Sequence, residues 1–137
     1  MAPPALPFVA AFYAGLVGLL CVLLSLLVSR QRLRTRVSLG DGGDASLGRM
    51  TRVFGNFAEY AALVLVLLAL VEICGGSRLL VHVLGMAFLI GRLAHAYGLA
   101  GTSDANPARS IGAGLTLVVV IAASVTLLVL VARKVLA

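Results

Sequence analysis

The sequence is poor in charge, and in acidic residues above all. Charged side chains make up only 12% of its 137 residues, while hydrophobic types make up 61%. A soluble domain of this length exposes too much surface to tolerate so few charges. The composition therefore excludes a soluble protein, and the length suits one domain over residues 1–137.

Cysteine and histidine are scarce as well. Cys21 lies inside one apolar run and Cys74 just after another, so geometry disfavours a disulfide between them. The two histidines have no cysteine or carboxylate at the spacing that metal ligands need. Neither a Ser/His/Asp nor a Cys/His pattern for a nucleophile is present. The sequence thus predicts no metal cofactor.

What the chain does contain is four long apolar runs. We expect them to span a membrane over residues 8–29, 47–73, 79–100 and 107–132, because about 20 apolar residues cross a bilayer. The first run has no basic residue before it and no cleavage site after it, which predicts a retained anchor. The predicted fold is an all-α integral membrane protein, a bundle of four transmembrane helices with up-down topology.

The basic residues are distributed unevenly between the two membrane faces. Those near the first and third connections are Arg30, Arg32, Arg34, Arg36, Arg49, Arg52, Arg92 and Arg109, against Arg78, Arg133 and Lys134 on the other face. The positive-inside rule then places the first face in the cytosol and both termini outside. The net charge of +6 could also indicate nucleic-acid binding, but clustering beside the spans favours a topology signal and anionic lipid.

Ionisable groups within the spans are costly there and mark functional sites. Near the cytosolic face these polar residues are Arg49, Arg52, Asn56 and Glu59 in the second span, Arg92 and His95 in the third, and Arg109 and Ser110 in the fourth. They predict a cationic pocket with one buried acid, suited to a small polyanion that also carries an ammonium group. The alternative is an ion pair that only locks the bundle.

Two further expectations concern packing. Glu72, Arg78 and His82 cluster at the other face, which predicts a solvated salt bridge at a helix connection. The small residues at 112–114 predict a close approach between helices.

The pattern in the second span resembles the signature of a known family. The resemblance is carried by Arg52-x-x-x-Asn56-x-x-Glu59-Tyr60, Arg92-x-x-His95 and Pro107-Ala-Arg109-Ser110. The first is similar to the signature of the MAPEG family, membrane-associated proteins in eicosanoid and glutathione metabolism. The other two are similar to stretches of its prostaglandin E synthase-type members. Arg32-Leu-Arg34 and Gly40-Asp-Gly-Gly43 resemble an uncharacterised bacterial branch, which implies a bacterial inner membrane.

The resemblance implies a homotrimer that binds glutathione between neighbouring subunits near the cytosolic face. Glutathione would be the co-substrate of a transferase or peroxidase that acts on lipophilic molecules. By position, the glutathione contacts would be Arg34, Arg52, Asn56, Glu59, Tyr60, Arg92 and His95. Arg109 would stabilise the thiolate, and Ser110 is a second candidate beside the sulfur.

Two positions depart from the eicosanoid-forming members, which carry tyrosines where this chain has Leu99 and Ala113. The lost hydroxyls favour a general transferase or peroxidase over an isomerase. Two alternatives stay open: a non-catalytic glutathione- or lipid-binding protein of the same fold, and an exporter of small cationic drugs. A cationic pocket and a first span without a carboxylate disfavour the exporter.

Overall fold

A computed structural model describes residues 6–101 and 106–136, and these residues form four α-helices. The helices are α1 (Phe8–Thr35), α2 (Ala45–Ile73), α3 (Arg78–Gly101) and α4 (Pro107–Val135). Each is long and apolar enough to cross a membrane. The chain is therefore an all-α integral membrane protein, as predicted, and its short connections make successive helices run up and down.

The first helix continues beyond its apolar run into the arginine-rich segment. It ends at Thr35, although the predicted span ends at residue 29, because arginine is a good helix former. Arg32 Nη1 donates to the carbonyl oxygens of Ser38 at 3.3 Å and Gly40 at 2.9 Å. These bonds hold the connection against the end of α1.

The second and fourth helices begin with side-chain caps. The Asp44 carboxylate accepts a hydrogen bond from the Leu47 amide at 2.7 Å, so α2 starts slightly before the predicted span. The Asn106 side-chain oxygen accepts from the Arg109 amide at 3.2 Å, and α4 then begins at Pro107. Both caps satisfy amides that the first turn of a helix leaves without partners.

Helix α2 packs against the other three helices, as α3 also does. Its buried face carries Val53, Phe57, Val64, Leu68 and Val71. Within the described residues α1 contacts α2 and α3 but not α4. Most of α1 is therefore left to face lipid, and the exposed leucines along it suit that environment.

Helices α3 and α4 approach each other closely where glycines meet, as the small residues at 112–114 predicted. A Cβ atom on Gly112 would lie 2.5 Å from the carbonyl oxygen of Gly91 and 2.5 Å from the amide nitrogen of His95. A Cβ on Gly114 would meet nothing within 4 Å. Only the first of these two glycines is required by the contact.

The predicted solvated salt bridge at Glu72 is wrong. Glu72 is 4% exposed, and its carboxylate accepts from the Val9 amide at 3.1 Å and the Ala10 amide at 2.8 Å. These amides open α1, where the partial positive charge of the helix dipole favours an anion. The carboxylate therefore joins the end of α2 to the start of α1 instead of pairing with Arg78.

Candidate functional site

A buried arginine joins three helices near the end of the bundle that carries the connection between α1 and α2. Arg92 of α3 is 2% exposed. Its Nη2 donates to Asn56 Oδ1 of α2 at 2.6 Å, and its Nη1 donates to Thr116 Oγ1 of α4 at 3.2 Å. The Thr116 hydroxyl donates in turn to the Gly112 carbonyl oxygen at 2.9 Å. This chain of bonds fixes the guanidinium in one orientation.

An aromatic ring completes what we call the arginine cluster, formed by Arg92, Asn56, Thr116 and Tyr60. The guanidinium carbon lies 5.8 Å from the centroid of the Tyr60 ring, in a cation–π contact. In the part of the chain that the structure describes, no carboxylate hydrogen-bonds to Arg92. The cluster thus surrounds a cation with neutral groups, and its positive charge stays available to an anion.

A second contact ties the start of α4 to α3. His95 is 5% exposed, and its Nδ1 lies 3.2 Å from the carbonyl oxygen of Arg109, to which the Nδ1–H tautomer donates. Asn106 anchors the amide of the same residue. The backbone of Arg109 is therefore held on both sides, and Ser110 follows it at an exposed position.

Two other predicted residues lie on the outer face of α2. Arg52 and Glu59 are both exposed in the subunit, although Glu59 is near enough to attract the Arg92 guanidinium electrostatically. The prediction of a buried acid at Glu59 is wrong for the single subunit. The buried carboxylate within the described residues is Glu72. The sequence placed the charges in the correct helix but could not give their burial, because burial depends on how α2 turns against its neighbours.

The structure thus divides the predicted site into two parts. It brings Asn56, Tyr60 and Arg92 together and joins His95 to Arg109. Arg34, Arg52, Glu59 and Ser110 lie on the exposed surface. The buried part is rigid and cationic, and the exposed part offers one guanidinium and one carboxylate on α2. Together these groups fit a ligand with separated anionic and cationic ends.

One residue of the arginine cluster was not predicted. Thr116 lies in an apolar stretch of α4, where threonine commonly bonds to its own helix backbone and has no clear functional signal. The spacing of four residues from Gly112 was a weak indication, since it lets the hydroxyl reach the preceding turn. Only the packing of α3 on α4 reveals that the hydroxyl oxygen also accepts from Arg92.

The site has no arrangement typical of a metal centre. Across residues 6–101 and 106–136, no three His, Cys, Asp or Glu side chains are grouped so that they could hold a metal ion. Both cysteines are free, Cys21 within α1 and Cys74 at the end of α2. The polar groups of the predicted site are guanidinium, amide, hydroxyl, imidazole and carboxylate groups.

Comparison with known proteins gives a family match over nearly the whole chain. The model of the MAPEG family matches residues 10–129. The chain is also 41% identical over 90 residues to the inner membrane protein YecN of Escherichia coli strain K12, covering 66% of this chain and 69% of that protein. YecN of Escherichia coli O6:H1 matches with the same identity and coverage. With the four spanning helices, these matches support an integral protein of a bacterial inner membrane.

Proposed function

The chain belongs to the MAPEG family, and from that premise we propose that it is a glutathione-dependent transferase or peroxidase acting on apolar molecules dissolved in the bilayer. The observation that carries the proposal is the arginine cluster. The buried guanidinium of Arg92 is held there by Asn56 and Tyr60 of α2. Helix α2 also carries Arg52 and Glu59 on its exposed face. Glutathione carries two carboxylates, one ammonium group and one thiol, which these groups complement.

The spacing along α2 supports this assignment. Arg52 and Glu59 are seven residues apart, which corresponds to about 10 Å along the helix axis. An extended tripeptide can span that distance. Arg52 would bind one carboxylate of glutathione with two parallel hydrogen bonds, and Glu59 would bind its ammonium group. Arg34, Arg92 and His95 would add contacts to the remaining polar atoms.

The exposed charges on α2 support a homotrimer with glutathione between neighbouring subunits. A guanidinium and a carboxylate facing hydrocarbon would be costly. A neighbouring subunit with bound glutathione would cover both groups and satisfy them. The positive-inside rule supports a site on the cytosolic side, where the arginines gather.

In the transferase reaction, Arg109 and the start of α4 would stabilise the thiolate of glutathione. The guanidinium and the positive end of the helix dipole both favour a negative sulfur. The thiol proton passes to solvent, and the sulfur attacks the electrophilic carbon of the substrate. A carbon–sulfur bond forms as the leaving group departs with its electron pair. Ser110 would donate a hydrogen bond to the sulfur or to the leaving group.

In the peroxidase reaction, the same thiolate would attack a peroxide oxygen of a lipid hydroperoxide. The O–O bond breaks, and the alkoxide takes up a proton to give the alcohol. The sulfur is oxidised to a sulfenic acid, and a second glutathione converts it to the disulfide with release of water. Leu99 is buried at 5% exposure and provides no hydroxyl, which agrees with general rather than isomerase chemistry.

The test is conjugation of glutathione to a chlorodinitrobenzene-type substrate by the purified protein, with glutathione binding measured by calorimetry. We expect Arg109→Ala to lower turnover by a factor of about 100 to 1,000, the usual effect of losing one stabilising donor. Arg133→Ala, at the far end of the same helix, serves as the control and should retain turnover.

Absence of glutathione binding in a well-folded protein would overturn the proposal. Binding without turnover, across a panel of electrophiles and hydroperoxides, would instead identify a non-catalytic binding protein of the same fold.

A further inference from the structure

An apolar cleft opens inside the single subunit, between α1 and α3 with α2 behind them. Its volume is about 270 Å³. The lining includes Leu23 and Leu27 of α1, Met50 and Val53 of α2, and Leu93 and Tyr97 of α3. Leu23 is 53% exposed and Leu93 is 54% exposed, so the cleft is open to the surrounding lipid.

The face of α1 that lines the cleft continues into basic residues. Leu23, Leu27, Arg30 and Arg34 are spaced by four, three and four residues, which places them along one stripe of the helix. Arg30 lies about 4.5 Å beyond Leu27 along the axis. Both arginines are exposed. The apolar cleft is thus followed by two positive charges at the membrane–water boundary.

The opposite wall ends in a polar group as well. Tyr97 of α3 is 80% exposed and lines the cleft. A tyrosine at this position suits the headgroup region, where its ring is apolar and its hydroxyl remains hydrated. Both walls therefore change from apolar to polar toward the same end of the cleft.

We propose that the cleft binds an acyl chain of an anionic phospholipid whose phosphate group contacts Arg30 and Arg34. The apolar lining suits a hydrocarbon chain and excludes a free polar anion. The two guanidinium groups complement a phosphate and favour anionic over zwitterionic lipid. An acyl chain would also fill the space left where α1 packs loosely on α3, restoring dispersion contacts that an empty cleft lacks.

The apolar part of this site is separate from the proposed glutathione site, although Arg34 would serve both. Arg92 lines the cleft, but its Nη groups point to Asn56 and Thr116. Helix α4 contributes no residue to the cleft, whereas Arg109 and Ser110 of the proposed reaction are on α4. Within one subunit the cleft therefore lies apart from Arg109 and Ser110, which suits a bound structural lipid rather than the electrophile.

The test is thermal unfolding of the delipidated protein in detergent, with added dioleoylphosphatidylglycerol or dioleoylphosphatidylcholine at equal mole fractions. We expect a larger rise in melting temperature with the phosphatidylglycerol, and no rise with inorganic phosphate. Native mass spectrometry should detect one bound phosphatidylglycerol per subunit.

One variant tests the apolar half of the site and another tests the charged half, and each has a matched control. Ala96→Phe fills the cleft, which Ala96 lines, and should abolish the phosphatidylglycerol-specific rise. Ala14→Phe places the same side chain at an exposed position on α1 outside the cleft and should keep the phosphatidylglycerol-specific rise.

The charged half of the site is tested by Arg30→Gln. This variant should weaken phosphatidylglycerol binding about fivefold, the effect of one arginine at a membrane surface. Arg133→Gln, at an exposed position on the opposite face, should leave it unchanged.

Equal stabilisation of the unaltered protein by both lipids would overturn the proposal, as would retention of the specific rise in Ala96→Phe. If Ala96→Phe does not fold, Arg30→Gln decides the question. This exposed residue should not affect folding, and unchanged affinity for phosphatidylglycerol in that variant would reject the site. Arg34 is left unaltered because it is also a proposed glutathione contact, so these results do not depend on glutathione binding.

Discussion

Two buried charged residues in this subunit are stabilised in different ways. Arg92 is surrounded by an amide, a hydroxyl and a ring from two other helices. Glu72 is stabilised by two backbone amides at the start of α1. The first arrangement leaves a net positive charge beside the proposed ligand. In the second, both carboxylate oxygens of Glu72 accept hydrogen bonds from backbone amides. Only the first is therefore suited to binding.

The role of Glu72 can be tested with a change that keeps its shape. Glu72→Gln leaves a single acceptor oxygen, so one of the Val9 and Ala10 amides loses its partner. We expect the free energy of unfolding to fall by about 1–3 kcal/mol, the usual effect of leaving a buried donor unsatisfied. Titration of the purified protein with a denaturing detergent would measure this change.

The matched control is Arg78→Gln, which removes the residue that the sequence suggested as the partner of Glu72. Since the carboxylate bonds to α1, this exposed change should leave the free energy of unfolding unaltered. A larger loss in Arg78→Gln than in Glu72→Gln would contradict the structure. Faster amide exchange confined to the start of α1 in Glu72→Gln would locate the effect.

At the residue scale, part of the candidate site could be predicted from the sequence. Asn56 and Arg92 could be identified because polar groups inside an apolar span are conspicuous. The structure joins these two residues directly. Thr116 could not be identified, since a threonine carries no charge and is common in such helices. The partners of Glu72 could not be identified either, because the Val9 amide lies 63 positions away in the sequence. Every residue but proline has a backbone amide, so such a partner leaves no pattern in the sequence.

At the scale of the helices, hydropathy predicted the spans better than the helix ends. Apolar runs identify the part of each helix that crosses hydrocarbon, but α1 continues to Thr35 and α4 to Val135. Basic residues near these ends remain helical because the helix satisfies their backbone groups while the side chains reach water. Helix length therefore exceeds the apolar run wherever the flanking residues are good helix formers.

The contact between α3 and α4 gives a prediction with an internal control. Gly112→Ala would place a Cβ against the backbone of Gly91 and His95, so the helices must separate and the bond from Arg92 to Thr116 must lengthen. We expect a loss of about 1–3 kcal/mol in the free energy of unfolding, as for other overpacked sites. Detergent-induced unfolding would measure it.

Gly114→Ala makes the same change in the same helix where a Cβ meets nothing within 4 Å. This variant should be as stable as the parent protein or more so, because alanine has the higher helix propensity. Equal stabilities for the two alanine variants would contradict the close contact. The pair separates the effect of packing from the intrinsic preference of the helix.

At the scale of the whole molecule, the single subunit leaves its proposed site incomplete. The arginine cluster is enclosed, but Arg52 and Glu59 face outward from a spanning helix. Charged side chains on a membrane-spanning surface are costly unless another protein surface or a ligand covers them and pairs with their charges. Symmetric association of identical subunits would supply three equivalent covers and would place each ligand between two chains.

Shared sites of this kind can be detected by complementation. We expect Arg52→Ala and Arg109→Ala each to inactivate the proposed trimer when expressed alone. If Arg52 of one subunit and Arg109 of the next serve the same glutathione, every mixed trimer contains one intact site. Doubly tagged mixed trimers should then recover about one third of the activity of the unaltered protein, since cyclic order leaves one unaltered pair among three.

The control is a mixed trimer of two differently tagged Arg52→Ala subunits, which should remain inactive. Inactive mixed trimers of the two different variants would show that Arg52 and Arg109 serve a site within one subunit. A monomeric protein in mild detergent with full activity would lead to the same conclusion, because no neighbour would then be needed to cover the outer face of α2. Recovered activity would instead require that Arg52 of one subunit and Arg109 of its neighbour contribute to the same site. If each site used residues of one subunit only, every subunit of the mixed trimer would carry a defective site and no activity would return.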